Sequence, residues 1–287
     1  MSNFILNSID TSFESYAQLI RLYNEHKSYF VDTIDISIHQ WFAANMCSAL
    51  GGVLDKLASG LNQIRFSEIT SNAKIIMQKN EFLSYYGYPR VVDDKHTTIK
   101  YLKLKPTDGR FFHGYIVSEL LNRPELPQMT HELKKKISES IYEIFVNAQI
   151  HSETDFIYTC GQFFPSKNKI EFTITDSGIG FKNKINKRFK KNLNSIQAIK
   201  WAASDGHSTK TNISGGIGLA LLKEFITKNN GKFQIVSDDG FYQYESTGEQ
   251  LKLFPESFPG TIVNLQFRTD DTSSYSLLEE HHDEALF

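Results

Sequence analysis

The chain has 287 residues, of which 40% are hydrophobic and 22% are charged, and this is the composition of ordinary globular domains. Its formal net charge of -2 gives no global electrostatic reason to expect binding to nucleic acid or to a membrane surface. The two cysteines, Cys47 and Cys160, are too few for a disulfide framework and lack the paired spacing of a zinc site. The sequence opens without a basic and then apolar segment, and no apolar run reaches about 18 residues. We therefore expect a cytoplasmic protein of two domains.

The first part of the chain alternates predicted helices and strands. The spacing of apolar residues predicts helices over residues 12–24, 42–61 and 71–79 and strands over residues 29–38, 63–66 and 97–104. This order predicts an α/β fold in which helices cover a sheet. Two prolines within residues 122–129 interrupt the periodicity and mark a domain boundary. We place the domains at residues 1–124 and 125–270, followed by a polar tail, expected to be mobile, at residues 271–287.

The second part opens with a long amphipathic helix, predicted over residues 130–150. Its apolar stripe comprises Ile137, Ile141, Ile144, Phe145 and Ala148. Strands are predicted over residues 156–163, 169–175, 232–236 and 261–267. In the second of these, apolar and polar residues alternate, which is typical of a strand with one buried face. The basic run over residues 182–191 is interpreted as a solvated loop, and a short helix is predicted after it, over residues 196–203.

Glu143 and Asn147 lie four residues apart on the long helix, so their side chains emerge on the same face. A carboxylate can orient and deprotonate a water molecule, and an amide oxygen is a neutral ligand suited to Mg²⁺. Polar pairs at this spacing also occur on most exposed helix faces. The pair alone therefore leaves a catalytic and a merely solvated interpretation open.

Asp176 follows a predicted strand, and glycines come two and four residues after it, at Gly178 and Gly180. Glycine permits positive φ angles and lets a flat ligand lie close to the backbone, while the carboxylate can accept a hydrogen bond from an exocyclic amine such as that of adenine. The alternative interpretation of Asp-Ser-Gly is a tight turn.

Gly215, Gly216 and Gly218 stand directly before a predicted helix that ends at Lys228. The unpaired N–H groups and the positive dipole end of a helix N-terminus favour phosphate, although a flexible connector would have the same composition. The common phosphate-loop and dinucleotide-binding patterns are both absent, so a different phosphate site is required.

The order of these motifs, completed by Gly260 and Thr261 at the start of the last strand, resembles the Bergerat-fold ATPases of the GHKL superfamily over residues 127–268. Gyrase B, MutL, histidine kinases and anti-sigma-factor serine kinases share this set. The resemblance implies an α/β sandwich with helices on one mixed sheet, and it implies ATP and Mg²⁺ as cofactors. It further implies the following roles: Glu143 as catalytic base, Asn147 as Mg²⁺ ligand, Asp176 as adenine acceptor supported by Thr261, Gly178 and Gly180 as adenine-pocket residues, and Gly216 and Gly218, with their neighbour Gly215, as phosphate-binding residues.

The stretch of residues 181–213 then corresponds to the mobile lid of these ATPases. Within it Ser208, Thr209 and Lys210 could reach the phosphates, and a disordered lid segment is an equal interpretation.

The first domain resembles a STAS domain, the α/β module of anti-sigma-factor antagonists. The resemblance rests on the strand over residues 31–37 and on the helix that follows residues 41–47 and ends in residues 50–54. In that family a serine or threonine near the helix start takes phosphate, whereas the aligned positions here are Asn45, Met46 and Cys47, with Ser48 one residue later. The predicted first helix takes the place of the usual opening strands. A generic α/β scaffold remains the alternative.

Together these features predict a Mg²⁺-dependent ATP-binding protein, a slow ATPase whose lid closure switches its interaction with a protein partner or with a second copy of itself. A serine/threonine protein kinase of the anti-sigma-factor type and a nucleotide-sensing module without turnover are the alternatives. Neither nucleic acid nor a membrane is expected as a partner.

Overall fold

The computed structural model describes residues 2–151, 153–203, 217–277 and 280. It has the mixed α/β architecture that the sequence predicts. The first part forms a parallel three-stranded sheet in the order β1 (Ser2–Leu6), β2 (Thr33–Ile38) and β3 (Gln63–Ile69). The helices α1 (Phe13–His26) and α2 (Cys47–Ala58) connect successive strands, as parallel pairing requires. A third helix, α3 (Ser71–Lys79), coincides with its predicted range.

Strand β1 is a correction to the sequence analysis, in which a helix replaced the opening strands. Residues 2–6 pair in parallel with β2, and Phe4 and Leu6 are buried while Ile5 is exposed. Five residues at a chain start give too short a pattern to recognise as a strand. The helix predicted over residues 42–61 is also shorter, because Ala44–Met46 form a 3₁₀ turn before α2 begins.

A second, five-stranded antiparallel sheet forms the centre of the molecule. Its order is β4 (Thr98–Leu104), β6 (Ile157–Phe164), β7 (Lys169–Asp176), β9 (Gly248–Arg268) and β8 (Lys232–Glu245). Strand β4 precedes the boundary predicted at residues 124 and 125, so that boundary does not separate the two sheets. The helix α4 (Gly109–Tyr115), which continues as a π-helix over Ile116–Leu121, also precedes it and packs on the core of this sheet.

Helices cover one face of this sheet, chiefly α5 (His131–His151), α7 (Ser195–Ala203) and α8 (Ile217–Lys228). The predicted apolar stripe of α5 is confirmed, because Ile137, Ile141, Phe145 and Ala148 are buried and Ile144 packs against the same core. From this burial the helix gains most of its stability.

The opposite face of the sheet is buried as well, and the prediction of one buried face for β7 is wrong. The polar residues Glu171, Thr173 and Thr175 are at most 1% exposed, because α2 and the 3₁₀ turn before it pack on β7. Hydrogen bonds satisfy these groups. The Thr11 hydroxyl donates to Glu171 (2.9 Å), the Asn45 amide to Thr173 (3.1 Å) and the Ser48 hydroxyl to Thr175 (2.7 Å). The alternation therefore reflects two different packing partners: the apolar residues face one side of the sheet, and the polar residues face the first part of the chain rather than solvent.

The β8–β9 hairpin is much longer than the two predicted strands. Residues 237–240, Ser-Asp-Asp-Gly, have turn composition, yet the pairing continues beyond them after register shifts at Ser237, Asp238 and Gly240. The basic run interpreted as a loop is mostly helix α6 (Gly180–Phe189), and α7 agrees with its predicted range.

The part of the predicted tail that the structure describes makes defined contacts. Strand β10 (Ser274–Tyr275) pairs in parallel with β5 (Gln128–Met129), and the Tyr275 hydroxyl donates to the Asp271 carboxylate at 2.6 Å. Among the helices described, none combines the length and the apolar character needed to cross a bilayer.

Candidate functional site

Asp176 is the last residue of β7, and its carboxylate is almost fully buried, with 8% of the residue exposed. The backbone N–H of Gly178 donates to Oδ1 at 2.9 Å. Burial raises the pKa of Asp176 to about 6 because it disfavours the charged form, and Asp238 adds to this. The Gly178 N–H and the charges of Lys184 and Lys56 act in the opposite direction. A buried carboxylate with a single donor among the described residues has acceptor capacity left for a ligand.

Thr261 on β9 lies opposite Asp176 in the antiparallel register. Its hydroxyl is 3.1 Å from that of Ser237, and Ser237 Oγ accepts a hydrogen bond from the backbone N–H of Phe181 at 2.8 Å. Thr261 therefore pairs with the predicted adenine acceptor in the sheet, and Ser237 links Thr261 by hydrogen bonds to the start of α6.

Gly180 begins α6 with φ +73°, in the left-handed region that the glycine pattern predicted. A Cβ atom there would lie 2.6 Å from Asp238 Oδ2, so only glycine lets this carboxylate approach. Sequence reasoning missed Ser237 and Asp238. The Ser-Asp-Asp-Gly run was a usable signal, because it interrupts a strand with residues that cap helices.

Glu143 and Asn147 are both half-buried and lie one turn apart on α5, as predicted. Helix α5 packs along α8 and contacts β7, so the elements that carry the predicted motifs share one core. Gly218, predicted to lie directly before the helix, is the second residue of α8 and so lies in its first turn. Ser208, Thr209, Lys210, Gly215 and Gly216 lie outside the described residues.

The structure thus brings Asp176, Gly178 and Thr261 into direct association and holds Glu143 and Asn147 on a helix that contacts the same strand. Within the described ranges, no three His, Cys, Asp or Glu side chains cluster as a metal site. An amide such as that of Asn147 suits Mg²⁺, which commonly takes one or two protein ligands and completes its shell with phosphates and water.

Helix α2 lies beneath the Asp176 loop on the other face of the sheet. The Ser177 hydroxyl donates to the Gly52 carbonyl at 3.3 Å, and a Cβ at Gly52 would lie 3.1 Å from that hydroxyl oxygen. Asn45, Cys47 and Ser48, which align with the phosphoacceptor region of STAS domains, are all fully buried. The Ser48 hydroxyl is therefore not accessible to another protein in this fold.

No protein family model matches this chain, and a search of curated proteins finds no match. A functional interpretation consequently depends on the motifs and on the geometry around Asp176.

Proposed function

We propose that the chain is a Mg²⁺-dependent ATP-binding protein and a slow ATPase, with a C-terminal Bergerat-fold part preceded by a STAS-like part. The observation that carries this proposal is the buried Asp176 carboxylate, placed opposite Thr261 and given one backbone donor by Gly178. A buried carboxylate is costly to keep unless donors reach its remaining acceptor positions. The exocyclic amine of adenine is a donor of the right kind.

In this proposal each motif has one task. Asp176, with Thr261 beside it, accepts the adenine amine, and the N-terminus of α8 around Gly218 receives phosphate. Asn147 binds Mg²⁺, which offsets the charge of the triphosphate. Glu143 orients a water molecule and takes its proton.

Hydrolysis is favoured over self-phosphorylation by the burial of the first part of the chain. The Ser48 hydroxyl oxygen lies 2.7 Å from the Thr175 hydroxyl and 3.0 Å from the Tyr158 carbonyl, so its hydrogen-bonding partners are already in place. A phosphate there would place about two negative charges inside a packed interface. A kinase acting on a separate partner remains the second candidate, and a sensing module without turnover is the third.

The switching role is supported by the path of α2 along β7. Asn45, Ser48 and Gly52 recur at helical spacing and contact Thr173, Thr175 and Ser177 in turn. A change at the Asp176 loop on nucleotide binding would therefore act on the first part of the chain directly. We propose that closure of the lid, residues 181–213, and this contact together alter binding to a protein partner or to a second copy.

Calorimetric titration with Mg²⁺-ATP, followed by incubation with γ-labelled ATP, tests the proposal. We expect saturable binding that Asp176→Asn weakens, and release of labelled phosphate without label on the protein. Stable label on a serine or threonine of a candidate partner would establish the kinase instead. Binding without release of phosphate would leave the sensing module, and absence of binding by a folded chain would exclude the nucleotide site altogether.

A further inference from the structure

We propose that Asp238 is a positioning residue of the nucleotide site, which fixes the loop between Asp176 and α6 so that the site discriminates adenine from bases that lack its amine. This inference rests on the proposed function. It concerns a residue outside the recognised motifs, on the strand β8 that follows the predicted lid in the sequence.

Asp238 lies at the irregularity in β8 and has φ 53°, so the strand turns its side chain out of the regular ladder. Its Oδ2 accepts the backbone N–H of Lys182 at 3.1 Å, in the first turn of α6. The preceding residue, Ser237, accepts the N–H of Phe181. Two of the unpaired N–H groups at the start of α6 are therefore satisfied by side chains from β8.

The carboxylate of Asp238 also contacts Gly180, where no side chain is present to keep it away. Gly180 ends the glycine motif that begins at Asp176, so Asp238 holds the far end of the loop while β7 holds the near end. The N-terminus of α6 is already occupied by this internal carboxylate. It is therefore not available to phosphate, which leaves the N-terminus of α8 for that role.

The next residue, Asp239, provides a matched comparison. Its carboxylate accepts the hydroxyl of Ser195 at the start of α7, so it anchors the second helix of the lid region rather than the loop of Asp176. These neighbouring carboxylates on β8 thus hold two different helices. Of the two carboxylates, Asp238 is the one that touches the glycine motif.

Electrostatic repulsion also couples Asp238 to Asp176, the proposed acceptor of the adenine amine. The charged groups that act on Asp176 are Lys184 on α6, Lys56 on α2 and Asp238 on β8. Burial, together with the neighbouring charge of Asp239, raises the pKa of Asp238 itself, and the Lys182 N–H and ammonium and the Ser237 hydroxyl lower it. Neutralising Asp238 removes one repulsion from Asp176, so the pKa of Asp176 should fall.

The test compares Asp238→Ala, Asp238→Asn and the control Asp239→Asn in the full chain, with ATP and with ITP, whose base has no exocyclic amine. Wild type should prefer ATP to ITP, and Asp238→Ala should reduce the ratio of ATP to ITP affinity by about fivefold, the effect of losing one ordinary hydrogen bond. A wild type that binds both nucleotides equally would overturn the inference. Asp238→Asn keeps an acceptor for Lys182 and should retain the ratio within about twofold. In Asp238→Asn the pH at which ATP affinity is half-lost should move below that of wild type, and Asp239→Asn should not move it.

An equal loss of ATP and ITP affinity, or an unchanged pH midpoint in Asp238→Asn, would show that Asp238 only supports the fold and would overturn the inference while ATP binding stands. If Asp238→Ala does not fold, the pH midpoint of Asp238→Asn decides. A wild type that binds neither nucleotide would overturn the proposed function and the inference with it. Hydrogen exchange of the Phe181 and Lys182 amides in nucleotide-free protein reports separately on whether Asp238 holds the start of α6. Unchanged exchange in Asp238→Ala would also count against the inference.

Discussion

The backbone of Gly260 lies directly against the carbonyl group of Asp176, and a Cβ atom at position 260 would overlap the carbonyl oxygen. Gly260 has φ +146°, a conformation that residues with side chains rarely adopt. This contact is where β9 passes the end of β7, just before Thr261 pairs with Asp176. Two constraints, backbone conformation and space, therefore require glycine beside the proposed adenine acceptor.

Replacing Gly260 with alanine should lower both the free energy of unfolding and the affinity for ATP. The left-handed conformation and the overlap with Asp176 should together cost about 2 kcal/mol or more, as denaturant titration would measure. Gly248→Ala is the control, because Gly248 lies on the same strand with φ +124° and a Cβ atom added there would meet no other atom within 4 Å. The control should carry the conformational cost alone and leave ATP binding unchanged. Equal effects of the two substitutions would contradict a special role for the Gly260 contact.

Asp176→Asn should change stability and nucleotide binding in opposite directions. The folded-state pKa of about 6 exceeds the ordinary 3.8, so the folded protein binds more protons than the unfolded chain between these values. The free energy of unfolding of wild type therefore falls as pH rises from about 4 to about 6, by up to about 3 kcal/mol. An uncharged asparagine avoids this cost, so the variant should be more stable at pH 7.5 and gain nothing below pH 4. ATP affinity should fall severalfold, because the amide offers a weaker acceptor.

Denaturant titration of both proteins at pH 7.5 and pH 4, with calorimetry of ATP binding, would check this pair of effects. A variant less stable at pH 7.5 would mean that Asp176 holds the fold rather than a ligand. Unchanged ATP affinity in a folded variant would remove Asp176 from the site.

Much of the local structure could be predicted because periodicity and burial agreed. The apolar residues of α5 lie on one side of the helix and are the ones that pack on the core, and α3 begins and ends where its apolar spacing predicts. The pairing of Asp176 with Thr261, in contrast, required a register across strands about 85 residues apart, which periodicity does not encode. Asp238 was missed for a related reason, since Lys182 follows β7 in the sequence while Asp238 lies on β8, and these two strands are brought together by β9 between them.

The prediction of a single buried face for β7 failed because its polar residues misled it. Glu171, Thr173 and Thr175 resemble a solvated face, yet side chains from residues 11–48 satisfy each of them. A polar face that is covered through matched hydrogen bonds cannot be told from an exposed one within a single strand's sequence.

The pair on α5 should separate binding from turnover. Glu143→Ala should retain Mg²⁺-ATP binding and lose hydrolysis, because the proposed base is removed while the ligands remain. Asn147→Ala should also weaken binding in the presence of Mg²⁺, with less effect when Mg²⁺ is chelated. Calorimetry with and without Mg²⁺ and phosphate-release rates would distinguish the two defects. Normal hydrolysis by Glu143→Ala would direct the search to Glu139, one turn earlier.

The last prediction concerns cooperativity between the two parts of the chain. Both contribute to one core, in which Phe13 of α1 stacks on Phe254 of β9 with ring centroids 4.3 Å apart, and β4 pairs with β6. The molecule has two tryptophans, Trp41 in the first part and Trp201 on α7, so each part has its own fluorescent reporter. Because the parts share a sheet, we expect both reporters to follow one unfolding transition.

Each of the variants Trp41→Phe and Trp201→Phe retains one tryptophan as its reporter. Circular dichroism measures the small effect of each substitution on stability. After correction for that effect, the fluorescence midpoints of the two variants should coincide. Saturating ATP should raise both midpoints together, because it adds about 2.7 kcal/mol to the free energy of unfolding when its concentration is one hundred times the dissociation constant. The ligand contacts only the second part in our proposal, so a shift at Trp41 would show that the first part unfolds together with the part that binds ATP. Two separate transitions, with ATP acting on the Trp201 reporter alone, would show that the halves fold independently and that the first part does not sense the nucleotide.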